Sequence, residues 1–182
     1  MRIVSGKLKG RIIPNKKIEG TRPTMDRVKE SLFAMIQDYI EESVFVDLFA
    51  GSGSIGIEAI SNGAKKCYFV DKNYLCIEQI KQAIKKFDIG AYAVVMKNDY
   101  KAVLKKWKEE NIHFDILFLD PPYKLDCYEE ILAFVIKNDM LNENGLVICE
   151  YSNILLKEEY ECLKLFKTKK YSDKSINIYR KE

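Results

Sequence analysis

Between residues 44 and 149 the hydrophobic positions gather into five short, nearly continuous runs. They are Val44–Leu48, Cys67–Val70, Tyr92–Met96, Phe114–Leu119 and Leu146–Cys149. A strand with one wet face alternates apolar and polar residues, whereas a strand covered on both faces does not. The runs therefore predict the buried strands of a parallel sheet. The stretches between them carry a different period. In 74–87, Ile77, Ile80, Ile84 and Phe87 recur at helical spacing, as do Val103, Leu104 and Trp107, and Ile131, Leu132 and Val135. Gly63, after "EAISN", predicts a helix C-terminus. Strand and helix in alternation predict a doubly wound, Rossmann-like α/β fold with right-handed crossovers.

The two ends depart from this alternation. Residues 1–20 are basic and turn-rich, with Gly6, Gly10, Pro14 and Gly20, and read as a hairpin-like extension packed on one domain spanning 21–182. "TRPTMDRVKESLFAMI" predicts a helix capped by Thr24 or Asp26, with Val28, Leu32, Met35, Ile36 and Tyr39 as its apolar stripe. At the other end, Cys162–Phe166 and Ile176–Tyr179 flank "KTKKYSDKS" and read as a hairpin at the sheet edge.

Composition narrows the function classes. No apolar run approaches the ~20 residues of a membrane span. The basic N-terminus lacks the apolar stretch of a secretory signal, so a cytoplasmic protein with no membrane partner is expected. The five cysteines form no C-x-x-C pair and there is one histidine, His113. Buried thiols and no metal site are expected. Residues 1–30 hold nine Lys or Arg against three acids, a net +6 that the remaining chain offsets by −3. Lys7, Lys9, Arg11, Arg22 and Arg27 thus form a candidate surface for a polyanion such as RNA. Lys164, Lys167, Lys169, Lys170 and Lys174 are a second cluster, equally readable as a polyanion surface or as solvated lysines.

The chemistry concentrates at the strand ends. "DLFAGSGSIG" carries G-x-G-x-x-G at Gly51, Gly53 and Gly56, after a strand and before a helix, where such a loop receives an adenosine cofactor. Asp47 stands four residues before Gly51. A carboxylate there disfavours a pyrophosphate and suits a ligand with an ammonium group and a positive sulfur, namely S-adenosylmethionine. Asp71 can accept from two ribose hydroxyls, and Asp99 from an adenine amine or as a helix cap. Phe49, Lys72 and Tyr100 complete the candidate cofactor set. In "FLDPPYK" two prolines end the fourth strand rigidly. Asp120 and the Pro121 carbonyl can each accept one N–H of a planar exocyclic amine, held by Pro122 and stacked on by Tyr123. Such an amine is a poor nucleophile, because its lone pair is delocalised. Two acceptors align its nitrogen and stabilise the positive charge that develops on it.

"DLFAGSG" with "DPPY" resembles the class I S-adenosylmethionine-dependent amino-methyltransferases. "MRIVSGKLKGR" followed by "TRPTMDRVKESLF" narrows the resemblance to the RsmD family, and "DKN" at 71–73, "FDILFLDPPY" and "GLVICE" extend it over almost the whole chain. The resemblance implies a seven-stranded sheet with an antiparallel C-terminal hairpin. It also implies methylation of the N2 amine of a guanine in small-subunit ribosomal RNA. Asp47, Gly51, Gly53, Asp71 and Asp99 would take cofactor roles, and Asp120, Pro121 and Tyr123 target-base roles. The family reads Tyr-Gly before its last strand, where this chain has Tyr171-Ser172. Nothing in the sequence requires more than a monomer. Three alternatives stay open on the residues alone: a DNA adenine-N6 or cytosine-N4 methyltransferase, which usually carries a large recognition region that 182 residues do not accommodate; an NAD-dependent oxidoreductase, disfavoured by Asp47; and a non-catalytic RNA-binding assembly factor, disfavoured by the intact Asp120–Tyr123 motif.

Overall fold

A computed structural model describes residues 1–14 and 26–182. Arg22 and Thr24, and the end of the basic extension, lie outside the described residues. Asp26 opens α1 (Asp26–Ile40), which buries Val28, Leu32, Phe33, Ile36 and Ile40 along one stripe. Strand and helix then alternate: β1 (Val44–Asp47), α2 (Ser54–Ser61), β2 (Lys66–Asp71), α3 (Tyr74–Phe87), β3 (Ala93–Lys97), α4 (Tyr100–Glu109), β4 (Phe114–Leu119), α5 (Tyr128–Lys137) and β5 (Leu141–Tyr151). The chain ends in β6 (Glu159–Tyr160), β7 (Leu163–Lys170) and β8 (Ser175–Lys181).

The sheet runs β3-β2-β1-β4-β5-β8-β7-β6. Its first five strands are parallel, while β8 pairs antiparallel to β5 and to β7. The C-terminal hairpin therefore enters the sheet beside β5, with β8 inside and β7 outside it. Among the described residues the sheet has eight strands, where the resemblance implies seven. The extra one is the two-residue edge strand β6, too short to show a period. β3 begins at Ala93, because Tyr92 closes a 3-10 turn at Gly90–Tyr92. β5 begins at Leu141, five residues before its apolar run, and reaches its full register after a shift between Phe114 and Ile116 of β4. The polar "NEN" is edge-like in sequence but still lies in the strand.

Both faces of the sheet are covered, which is why its strands are apolar throughout. Ile36, Ile57, Ile80 and Phe87 of α1–α3 pack on one side with Phe45, Phe69, Phe118 and Ile148. Val103, Trp107, Ile131 and Leu132 of α4–α5 pack on the other with Val46, Leu117, Val147 and Cys149. At ~25 cal/mol per Å² of buried apolar surface, these two layers dominate the stability of the domain.

Residues 1–14 fold back on themselves. Ile3 N–H donates to Arg11 C=O at 2.9 Å, Gly10 N–H donates to Ile3 C=O at 2.8 Å, and Arg2 bridges Ile12 antiparallel. Ile3 and Ile13 enter the core beside α1. The rest of the docking is polar. Glu58 of α2, fully buried, accepts from Val4 N–H, Ser5 N–H and the Ser5 hydroxyl. Lys29 of α1, also fully buried, pairs with Glu58 at 3.2 Å and donates to Arg2 C=O at 2.6 Å. Gly6 has φ +74°, and a Cβ there would lie 2.0 Å from the Ser61 carbonyl oxygen. Only glycine allows that close approach to α2.

Candidate active site

Register brings the acids together. β1, β2 and β5 end in Asp47, Asp71 and Glu150–Tyr151, and Asp120 follows the last residue of β4. Side chains alternate along a strand. Phe45, Phe69, Phe118 and Ile148 face the α1–α3 layer, so Asp47, Asp71, Asp120 and Glu150, each two residues further on, share that face at the C-terminal edge. A cavity of about 300 Å³ opens there. Asp47, Phe49, Gly51, Asp71, Lys72, Asp99, Tyr100, Asp120, Pro121, Pro122 and Tyr123 all line it.

Asp47 is 1% exposed, and its carboxylate accepts from Gly56 N–H at 3.2 Å. Burial raises its pKa from 3.8 to about 7; the Gly56 N–H opposes the rise, while Asp71 and Glu150 add to it. Asp71 fixes the loop. Its Oδ2 accepts from Gly51 N–H at 2.8 Å and its Oδ1 from Asn73 N–H at 2.8 Å. Each oxygen keeps a lone pair for a further donor. Asp99 caps α4, accepting from Lys101 N–H at 2.9 Å, so the capping role is real and sits at the cavity wall. The Phe49 and Tyr100 rings lie 5.3 Å apart, and the Tyr100 hydroxyl donates to Glu130 at 3.2 Å.

The glycines divide their work. A Cβ at Gly51 would meet nothing within 4 Å, so its missing side chain leaves the cavity wall open. Gly53 does not line the cavity. At φ +76° it turns the chain into α2, and a Cβ there would lie 2.7 Å from Ile80 of α3. Its place in the motif is explained by helix packing.

Tyr123 is 66% exposed at the mouth, with Pro121 buried behind it. A smaller recess adjoins, lined by Asp120, Pro121, Tyr123, Glu150, Ser152 and Lys174. Sequence reasoning missed Glu150 and Lys174 as site residues, although Glu150 shares the signature of Asp47 and Asp71: an acid closing an apolar strand. Lys174 is buried and paired with Glu150 Oε1. The C-terminal lysine cluster is therefore split. Lys174 turns inward and Lys167 donates to Met35 C=O at 2.7 Å, while Lys164, paired with Glu182 at 2.8 Å, stays exposed with Lys169 and Lys170. Met1 also reaches the cavity, its sulfur accepting from the Ser52 hydroxyl at 3.6 Å.

Cys76 lines the cavity, but burial, with Asp71 second, pushes its thiol up to about 11, so it is no thiolate nucleophile near neutral pH. His113 is exposed and lies outside the cavity. Lys7, Lys9, Arg11 and Arg27 are at the surface of the hairpin and the start of α1. Among the described residues no helix is long and apolar enough to cross a membrane.

The family model described as conserved hypothetical protein 95 matches residues 1–180. The chain is 36% identical over 182 residues to the putative rRNA methyltransferase YlbH of Bacillus subtilis, covering 100% of this chain and 99% of that protein. It is 36% identical over 150 residues to the ribosomal RNA small subunit methyltransferase D of Haemophilus influenzae, covering 82% of this chain and 78% of the relative. Among solved structures, the putative methyltransferase yhhF from Escherichia coli superposes with a TM-score of 0.85 at 25% identity, over 100% of this chain and 98% of that one.

Proposed function

We propose that this chain, which belongs to the RsmD family of ribosomal RNA methyltransferases, methylates the exocyclic N2 amine of a guanine in small-subunit ribosomal RNA, with S-adenosylmethionine as donor. The observation that carries the reading is one cavity lined at one end by Asp47, Gly51 and Asp71 and at the other by Asp120 to Tyr123. A donor site and an acceptor site share a single space.

The residues fit the donor. Asp47 is a buried acid whose ionisation is suppressed until a cation arrives, which suits the ammonium of a methionyl group. Gly51 leaves the wall clear for a close approach. Asp71, already anchored by two N–H groups, retains acceptors for ribose hydroxyls. Phe49 and Tyr100 offer an apolar wall, and Asp99 an acceptor at a purine edge. S-adenosylmethionine, when bound, supplies an electrophilic methyl group.

The chain's own residues prepare the acceptor. Asp120 and the Pro121 carbonyl take one amine N–H each, and the two prolines keep that pair rigid. Tyr123, exposed enough at 66% to meet an incoming base, stacks on it. The carboxylate of Asp120 stabilises the positive charge that grows on the nitrogen, and the proton departs after the new bond has formed. The cations at the surface of the hairpin and α1 hold the RNA backbone.

The test is direct. The protein is mixed with methyl-labelled S-adenosylmethionine and small ribosomal subunits lacking the modification, and the RNA is digested to nucleosides. Label in N2-methylguanosine is expected. Label in N6-methyladenosine, or none in RNA, overturns the reading.

A further inference from the structure

One polar atom beside Asp120 has no use in the chemistry so far. Glu150 is 4% exposed and lines both the cavity and the adjoining recess. Its Oε1 is held by the Lys174 ammonium, its backbone carbonyl accepts from the Tyr128 hydroxyl at 2.5 Å, and its Oε2 has no hydrogen-bond partner. A buried carboxylate oxygen without a donor is costly, and its persistence calls for a donor supplied from outside the fold.

Position says which donor. Leu119 of β4 pairs with Cys149 of β5 on strands about 4.8 Å apart in the hydrogen-bonding direction, so Asp120, just past the end of β4, and Glu150, within β5, are the next residues on neighbouring stretches of chain. Two carboxylates side by side at the rim of one recess match two adjacent donors on one planar ligand. On the Watson–Crick edge, guanine presents its N2 amine next to its N1–H, both donors. Adenine and cytosine present beside their amine a ring nitrogen that is an acceptor. A carboxylate there would repel that lone pair.

We propose that Glu150, anchored by Lys174, accepts the N1–H of the target guanine while Asp120 holds its amine, so that base identity is read at the atom next to the reacting one. This rests on the guanine-N2 reading and deepens it. Lys174 is a positioning residue: it fixes Oε1, aims Oε2, and keeps two further N–H donors for the O6 acceptor of the same edge. β8 delivers it, because Ser175 pairs with Tyr151 and Lys174 immediately precedes it.

The test crosses two enzymes with two substrates. Wild type and Glu150→Gln are assayed on RNA carrying guanine or 2-aminopurine at the target position. 2-Aminopurine keeps the amine but offers a lone pair at N1 and lacks O6, so it is the change in preference between the two enzymes, not the preference of wild type alone, that reports the Glu150 contact. Wild type is expected to favour guanine by about 100-fold in kcat/KM, as one misread edge contact commonly costs. In Glu150→Gln the amide can turn its NH₂ toward the lone pair, and the preference is expected to fall at least tenfold. Binding of S-adenosylhomocysteine by calorimetry should stay near wild type, while Tm falls, because the buried Lys174 ammonium then faces a neutral amide instead of its counter-charge. Equal loss on both substrates, with the 100-fold preference intact, would assign Glu150 a structural role and overturn the proposal. Failure of wild type to methylate guanine at all would instead remove the parent reading, so the two failures are distinguishable.

Discussion

Asp47 is an acid placed where water cannot solvate its charge, and its pKa of about 7 makes it the titrating element of the cleft. Folding raises this group above its usual 3.8, so the folded protein holds the proton more tightly than the unfolded chain does. The stability it contributes is therefore present below pH 3.8 and is lost as pH rises through about 7. Binding of a cationic donor has the opposite sign, because it needs the ionised form. Calorimetry should show affinity for S-adenosylmethionine rising up to about tenfold per pH unit between pH 5.5 and 7, then levelling. Asp47→Asn should bind at least tenfold more weakly at pH 8, lose that slope, and melt at a higher temperature without ligand. A pH slope unchanged in the variant would show that another group titrates. Asp120→Ala separates the two ends of the cavity: methyl transfer should fall at least 100-fold while S-adenosylmethionine affinity stays within about threefold. Loss of both together would place Asp120 on the donor side.

The residue-scale chemistry was legible where a motif is contiguous. Asp47, Gly51, Asp71 and the Asp120–Tyr123 run each follow a recognisable strand, so their neighbourhood in the fold follows from the alternation. Glu150 and Lys174 were not legible, because they are 24 residues apart and meet only through the antiparallel pairing of β5 and β8. Within the glycine loop, sequence could not separate Gly51, which opens the cavity, from Gly53, which packs on Ile80. The G-x-G-x-x-G pattern alone would also have pointed to a nicotinamide cofactor, and family membership removes that alternative.

At the scale of elements, the hairpin of residues 1–14 is fastened to the helix that follows the glycine loop. Glu58 and Lys29 are its clasp, a pair buried on both sides whose shortest contacts run to the N-terminal hairpin or to each other. Removing one member of such a pair strands the other, at about 3–5 kcal/mol. Glu58→Ala should lower Tm by about 10 °C, whereas an exposed control such as Glu109→Ala should change it by less than about 2 °C. Gly6→Ala meets the Ser61 carbonyl instead, and should loosen the hairpin while leaving the sheet intact. Hydrogen exchange at Ile3 and Gly10 would register this as faster exchange, with protection in β1 and β4 unchanged. The sequence showed a turn-rich basic segment here but no clasp, since Lys29 and Glu58 each sit in an ordinary helical pattern. Likewise β6 is too short for any period, and the polar start of β5 resembles a loop.

For the molecule as a whole, charge is distributed by task. Lys7, Lys9, Arg11 and Arg27 lie at the surface of the first helix and hairpin, while Asp47, Asp71, Asp99, Asp120 and Glu150 line the cleft. RNA binding should weaken steeply with salt, and replacing Lys7, Lys9 and Arg11 by Gln should reduce the slope of log K against log salt by about 2, at ~0.7 per lost phosphate contact. Filter binding over a salt series would read this, and an unchanged slope would move the RNA surface elsewhere.

The row of strand-end acids also bears on what happens after the methyl group has gone. With S-adenosylmethionine as the proposed donor, a sulfonium cation would become a neutral thioether, so each turnover would erase one positive charge at the end of the cleft floored by Asp47 and Asp71. Attraction that gathers the charged donor is weaker for the spent one. On that reading the two donor-side acids, Asp47 and Asp71, both draw the charged donor in and ease the neutral product out, a preference for fresh donor over used product that needs no moving part.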